Sequence, residues 1–245
     1  MSAEAITPAP VAPLWGELRY GGELAALLAD RELHAPRRGR TSAQPVLLIP
    51  GFMAGDRSLG VLARWLRRRG HRVAMSGMRL NVGCAGRLLG GLEAQLDSFS
   101  RHCGEPVFLI GQSRGGSLAR ALAVRQPASV SGLVMLGSPV LDPLAVSAPV
   151  LRTVRLLARL GDVGLPGVFS SDCRDGDCCA GFEEDLLAPL PAHIAAVAVH
   201  SRSDGIVDWR ACVDPHAEAV EVRSSHCGMS VHREVYRVLE RTLDA

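Results

Sequence analysis

The feature that most constrains the fold is an alternation of short apolar runs with segments of helical periodicity, which begins at Pro45. The apolar runs lie at 45–50, 71–75, 106–111, 130–139, 193–201 and 218–224, and the helical segments lie at 58–70, 87–104, 116–127 and 231–245. Continuous short apolar runs are typical of strands that are buried on both faces. Their alternation with helices predicts an α/β domain, in which a mostly parallel central sheet carries helices on both faces.

Two stretches lie outside this alternation. Residues 1–44 form an N-terminal leader, in which the apolar spacing predicts one short helix from about Glu23 to Leu33. The segment at about 141–191 is too long to be a simple connection within a compact α/β unit. It contains a predicted helix at about 149–160, followed by a loop rich in Gly, Asp and Cys. Ligands bind at the carboxyl ends of strands in such sheets, so we interpret this insertion as a cap or lid on the domain formed by residues 45–245.

Composition excludes several classes of function. The formal net charge is only +2 and 47% of the residues are hydrophobic, so we expect no nucleic-acid partner. The sequence contains no Lys, which excludes a Schiff-base lysine and a phosphate-binding loop of the GxxxxGK type. We find no secretory signal and no apolar run of transmembrane length, and therefore expect a cytoplasmic protein.

The strongest motif is the sequence GQSRG at 111–115, which lies between an apolar strand and a helical segment. A G-x-S-x-G match alone occurs often by chance in a glycine-rich chain, but a sharp strand-to-helix turn exposes the serine oxygen. The following helix also directs its positive N-terminal end toward the site. We therefore predict that Ser113 is a catalytic nucleophile.

A serine hydroxyl needs a general base, and the base needs an acid to orient it. Asp204 and His226 each follow a predicted strand directly, so the parallel sheet would place both side chains at the edge where Ser113 lies. We predict His226 as the base and Asp204 as its orienting acid. Asp208 and Asp142 are the alternative acids.

An acyl-transfer site also needs two backbone N–H groups that face the developing negative charge. One comes from the residue after the nucleophile, here Arg114, and the other from the loop after the first core strand, here PGFMAG at 50–55. Phe52 is the predicted donor from this loop, and Met53 is the alternative.

These motifs resemble the lipase/esterase-like branch of the α/β-hydrolase superfamily. The segments that carry the resemblance are LIPGFMAGD, the Asn81–Gly83 step in RLNVG, LIGQSRGG, MLGSPV, SRSDGIVDW and SSHCGM, which span residues 45–232 in the order typical of the family. The resemblance implies the α/β-hydrolase fold, the triad and the two oxyanion donors. Pro50 and Gln112 stand where the family often has His, and neither position carries a catalytic group.

Seven cysteines are present, and three of them lie in SSDCRDGDCCAG at 170–181. A zinc site normally needs four ligands at paired spacing, and the C-x4-C-C pattern without a second pair fits poorly. A disulfide between this loop and Cys212 is an alternative. We expect reduced thiols because the cytoplasm is reducing, and we predict no cofactor and no metal ligand.

The sequence therefore predicts a serine hydrolase that cleaves a small-molecule carboxylic ester through an acyl-enzyme. The apolar helix in the insertion suggests that the acyl part is apolar. A thioesterase or acyltransferase would use the same triad, and a non-catalytic binding protein could share the scaffold. The oligomeric state is not predicted.

Overall fold

Six parallel strands form the centre of the protein. The computed structural model describes residues 7–35, 43–175 and 177–244, with the backbone alone at 174, 175 and 177. The strands are β1 (Pro45–Ile49), β2 (Arg72–Met75), β3 (Val107–Gln112), β4 (Val130–Leu136), β5 (Ala195–His200) and β6 (Glu218–Glu221), in the order 2-1-3-4-5-6. Each neighbouring pair of these strands is parallel, as predicted.

The helices of the described residues cover both faces of this sheet. They are α1 (Tyr20–Ala29), α2 (Arg31–His34), α3 (Gly60–Arg68), α4 (Ala85–Cys103), α5 (Arg114–Arg125), α6 (Ala148–Asp162), α7 (Asp172–Asp175), α8 (Ala180–Leu187) and α9 (Arg233–Asp244). Within the parts of the chain that the structure covers, every helix is too short or too polar to span a lipid bilayer.

Strand β1 shows how the two cores form. Leu47 and Ile49 join the apolar cluster that contains residues of α4, α5 and α8, whereas Val46 and Leu48 join the cluster that contains residues of α1, α3 and α9. Successive side chains of a strand point to opposite faces, so a fully apolar strand can fill both layers. The sheet is therefore buried on both sides, which explains the continuous apolar runs in the sequence.

The leader differs from its predicted single helix. The chain forms two helices, α1 and α2, because the backbone becomes extended at Asp30 (φ −75°, ψ 97°). The Asp30 side chain accepts a hydrogen bond from the Leu33 N–H at 3.3 Å and so caps the second helix. The apolar spacing continues through this break, and the periodicity alone therefore could not reveal it.

The insertion holds more helix than predicted. The helix expected at about 149–160 is α6, but the loop after it contains α7 and α8 as well. In α8, Phe182 and Leu186 are four residues apart and are both buried against the sheet. The glycine and acidic residues around them weakened the helical signal.

A buried ion pair attaches α5 to two distant segments of the chain. Arg120 and Asp214 are both about 1% exposed, and the Arg120 Nε donates to a carboxylate oxygen of Asp214. The two terminal nitrogens of Arg120 donate to the carbonyl oxygens of Asp185 (2.8 Å) and Ala188 (2.9 Å). Arg120 therefore connects α5 to the end of the insertion and to the loop before β6.

Asp214→Ala should lower the free energy of unfolding by about 3–5 kcal/mol, because it leaves the Arg120 charge buried without its partner. Asp97→Ala is the matched control, since Asp97 pairs with Arg101 at the surface of α4, and it should cost less than about 1 kcal/mol. Urea unfolding of the two variants measures the difference. Equal losses would contradict the role of the buried pair.

Candidate active site

Ser113 lies in a sharp turn between the end of β3 and the start of α5. Its backbone has φ 52° and ψ −129°, a conformation that non-glycine residues rarely adopt. A Cβ atom at Gly111 would lie 2.4 Å from the carbonyl oxygen of Gly115, and a Cβ at Gly115 would lie 2.3 Å from that of Ile49. Both flanking positions therefore require glycine, and the turn holds the serine in a strained conformation beside the end of β1.

His226 and Asp204 are in direct contact. Their atoms Nδ1 and Oδ2 are 2.6 Å apart, and both side chains are buried. The other carboxylate oxygen of Asp204 accepts the N–H groups of Ile206 and Val207, each at 2.8 Å. These bonds fix the carboxylate, which in turn places the proton on Nδ1 of His226 and leaves Nε2 as the unprotonated nitrogen.

The two rival acids lie elsewhere. Asp208 caps the 3-10 turn Trp209–Cys212 by accepting the Arg210 N–H at 3.0 Å. Asp142 is exposed and accepts the Leu144 N–H at 2.9 Å. Of the three aspartates considered, the structure brings Asp204 to His226.

The N-terminal segment supplies a carboxylate that the sequence did not reveal. Glu17 accepts the backbone N–H groups of Gly205 (3.0 Å), His226 (3.0 Å) and Cys227 (2.9 Å). It therefore joins the loop that carries Asp204 to the loop that carries His226. Glu23 adds to this by accepting the N–H (2.7 Å) and the hydroxyl (2.6 Å) of Ser225.

The electrostatic surroundings raise the pKa of His226. Burial alone would lower its pKa, but the charge of Asp204, the hydrogen bond to Asp204 and the charge of Glu17 outweigh burial. The pKa of His226 is therefore raised above its ordinary value near 6.5. A raised pKa strengthens the imidazole as a proton acceptor.

The loop after β1 is fixed by Asn81, the only asparagine in the sequence. The Asn81 carbonyl oxygen accepts the Met53 N–H at 3.2 Å, and its Nδ2 donates to the carbonyl oxygen of Pro50 at 2.8 Å. Its Oδ1 accepts a guanidinium N–H of Arg114 at 2.9 Å. Because the Met53 N–H is engaged in this way, Phe52 is the better candidate for a free donor in this turn. Arg114 begins α5, where backbone N–H groups have no partner within the helix.

A cavity of about 640 Å³ opens over these groups. Ser113, His226 and Phe52 line it together with apolar side chains of α6, among them Leu151 and Val154. The cavity is thus a mostly apolar pocket that also contains polar groups, which is the usual form of a small-molecule site.

The cysteines of the insertion lie beside this pocket. The sulfur atoms of Cys84, Cys173, Cys178 and Cys179 all lie within 4.8 Å of one another. The alternative of a disulfide to Cys212 is wrong in this structure, because Cys212 is a free buried thiol whose Sγ lies 3.8 Å from the carbonyl oxygen of Asp208. The sequence pattern lacked a fourth ligand near the loop, and the fold brings that thiol from Cys84.

Glu17→Gln should lower the pKa of His226, because it removes one of the negative charges that raise this pKa. Asp204→Asn should lower it further, since Asp204 contributes both a charge and a hydrogen bond. An NMR titration of the imidazole signals measures the change. Glu221→Gln is the control, because Glu221 pairs with Arg202 at the surface. A wild-type pKa at or below the ordinary value would contradict this electrostatic account.

Comparison with known proteins gives the fold. No protein-family description and no curated protein matches the sequence. Solved structures do match. A Bacillus licheniformis lipase in its mature form is 14% identical with a TM-score of 0.63, over 86% of this chain and 96% of that one. A soluble variant of monoglyceride lipase from Saccharomyces cerevisiae is 16% identical with a TM-score of 0.58, over 85% and 89%.

A third match is 2-hydroxy-6-oxo-6-phenylhexa-2,4-dienoate hydrolase from a Rhodococcus strain, which is 17% identical with a TM-score of 0.55, over 84% of this chain and 90% of that one. At these identities the likeness concerns architecture, because one fold hosts many chemistries. The parallel six-stranded sheet and these matches agree, and the chain has the α/β-hydrolase fold.

Proposed function

We propose that this protein is a serine hydrolase that cleaves carboxylic esters through an acyl-enzyme. The observation that carries the proposal is the 2.6 Å contact between Asp204 and His226, whose side chain lines the same pocket as the strained Ser113. A buried His–Asp pair next to a serine on a strand-to-helix turn is the arrangement that activates a hydroxyl.

In this mechanism, the Ser113 Oγ attacks the ester carbonyl carbon while Nε2 of His226 accepts the hydroxyl proton. Asp204 keeps the His226 ring oriented and stabilises the imidazolium. The backbone N–H groups of Phe52 and Arg114 donate hydrogen bonds to the oxyanion of the tetrahedral intermediate. Collapse of the intermediate expels the alcohol, which takes the proton from His226.

A water molecule then attacks the acyl-enzyme, and His226 again accepts the proton. Collapse of the second intermediate releases the carboxylic acid and returns the proton to Ser113. The base and the oxyanion donors therefore serve both halves of the reaction.

The pocket indicates the substrate class. Val150, Leu151 and Val154 of α6 supply apolar walls, so an apolar acyl part gains more from burial than a charged one. We propose that the insertion at 141–191 acts as a cap that shields the acyl-enzyme. The same groups could cleave a thioester or transfer the acyl group, since these reactions differ only in the leaving group and the acceptor.

A fluorophosphonate probe tests whether Ser113 is activated. We expect the wild type to be labelled and Ser113→Ala to remain unlabelled, while Ser58→Ala, at the rim of the same pocket, is labelled as the wild type is. A folded wild type that resists the probe would favour a non-catalytic binding protein. Rates on p-nitrophenyl esters of increasing chain length should rise toward apolar acyl groups, and a higher kcat/KM on acyl-CoA would identify a thioesterase instead.

Asp204→Asn should lower kcat by up to about 10⁴-fold, since an amide cannot hold the required His226 tautomer or stabilise its charge. Asp208→Asn and Asp142→Asn should have much smaller effects, because neither side chain contacts His226 in the structure. Steady-state kinetics on the best ester decide this. An inactive Asp142→Asn together with a fully active Asp204→Asn would assign the acid to the loop after β4.

A further inference from the structure

Four cysteine thiols converge where the insertion meets α4. Cys84 is the residue directly before α4, Cys173 lies in α7, and Cys178 and Cys179 belong to the 3-10 turn directly before α8. Cys173 lies 89 positions after Cys84, so the fold alone brings them together. Cys84 and Cys179 are buried, and Cys178 is exposed at the outer side of the cluster.

The spacing of the sulfur atoms matches one tetrahedral metal ion. A zinc ion with Zn–S bonds of about 2.3 Å holds its four sulfur atoms about 3.8 Å apart. The separation is 3.7 Å between Cys84 and Cys179 and 3.8 Å between Cys178 and Cys179, and all the sulfur atoms lie within 4.8 Å of one another. A cluster of several iron ions binds its thiolates through different metals and would hold them further apart.

We propose that Cys84, Cys173, Cys178 and Cys179 form a structural zinc site that fastens the insertion to the α/β domain. Four thiolates are a closed ligand set, which leaves no open position for catalysis. Each thiol loses its proton when the ion binds, and the product is a tetrathiolate with a net charge of −2. No triad residue belongs to the site, so a test of zinc binding and a test of ester hydrolysis can fail separately.

The surroundings of the cluster suit a negative centre. Within the described residues, the oxygen atoms that contact the Arg114 guanidinium are all neutral: the Asn81 carbonyl (3.3 Å), the Asn81 side-chain oxygen (2.9 Å) and the Gly83 carbonyl (2.6 Å). Arg114 lies near enough to the cluster for charges on Cys179, Cys84 and Cys173 to act on it. A zinc tetrathiolate would therefore supply the counter-charge for this arginine.

The start of α4 also allows a close approach of the backbone that carries Cys178. A Cβ atom on Gly86, in the first turn of α4, would lie 2.5 Å from the carbonyl oxygen of Cys178. Only glycine at this position lets the insertion approach α4 so closely. The Cys84 thiol also sits at the N-terminal end of a 19-residue helix, where the helix dipole favours the thiolate.

The test begins with the metal content of the full-length protein, purified under reducing conditions without a metal-affinity step. Plasma mass spectrometry should find about one zinc per chain in the wild type, and less than about a tenth of this in Cys84→Ser and Cys179→Ser after dialysis against a chelator. Cys103→Ser is the matched control, because Cys103 ends the same helix that Cys84 precedes and lies outside the cluster. It should keep its zinc.

Two further readouts do not depend on enzymatic activity. X-ray absorption at the zinc edge should show four sulfur neighbours at about 2.3 Å. Circular dichroism should show that Cys84→Ser retains its helices, and its thermal unfolding should no longer respond to added zinc, whereas the wild type gains stability with zinc. The second variant, Cys179→Ser, decides the matter if Cys84→Ser fails to fold.

Four results would overturn the proposal. The first is protein that stays free of zinc even after incubation with zinc salt and reductant. The second is an unreduced intact mass that is lower by two hydrogens for each of two disulfides formed within the cluster. The third is full zinc retention in both cluster variants, which would place the metal elsewhere; one iron per chain in place of zinc would also contradict the assignment.

Discussion

The candidate active site depends on one backbone contact, between the end of β1 and the start of α5. The carbonyl oxygen atoms of Ile49 and Pro50 lie so close to Gly115 that a Cβ there would be 2.3 Å and 2.4 Å from them. This approach brings the turn at Gly51 against Ser113, because β1 and β3 are parallel neighbours that end at the same edge. The two proposed oxyanion donors come from these two turns. The packing of β1 against the start of α5 therefore also places the two proposed oxyanion donors next to each other.

The part of the site around His226 depends on carboxylates that accept hydrogen bonds from backbone N–H groups. Asp204, Glu17 and Glu23 each accept hydrogen bonds from N–H groups of the loops at 204–207 and 225–227. Of these groups, Asp204 and Glu17 raise the pKa of His226 through their negative charges. The N-terminal segment is for this reason part of the site and not only a leader.

The parts of the fold and site that could be predicted are those with local signals. Ser113, Asp204 and His226 each follow a strand, and a parallel sheet brings such positions to one edge whatever their separation in sequence. Glu17 gave no such signal, because its contacts with Gly205 and His226 depend on how the N-terminal turn packs against two distant loops. The same holds for Cys84, because the other three cysteines of its cluster lie in the insertion and reach Cys84 only in the folded structure. Long-range contacts of single side chains leave no periodic pattern.

One wall of the pocket is attached at both of its ends to segments that carry residues of the candidate site. Helix α6 forms that wall, and at its start Ser147 donates its N–H to the carbonyl oxygen of Ile206 at 2.8 Å, next to the bridge between Val146 and Val207. Beyond its end, the Phe169 N–H donates to the carbonyl oxygen of Val82 at 2.9 Å, and the cysteine cluster follows directly. One end of the wall is thus attached to the loop of Asp204, and the other to the segment that fixes the oxyanion turn. A metal ion at the second attachment would hold this end of the wall through four metal–sulfur bonds in addition to the apolar packing of α8.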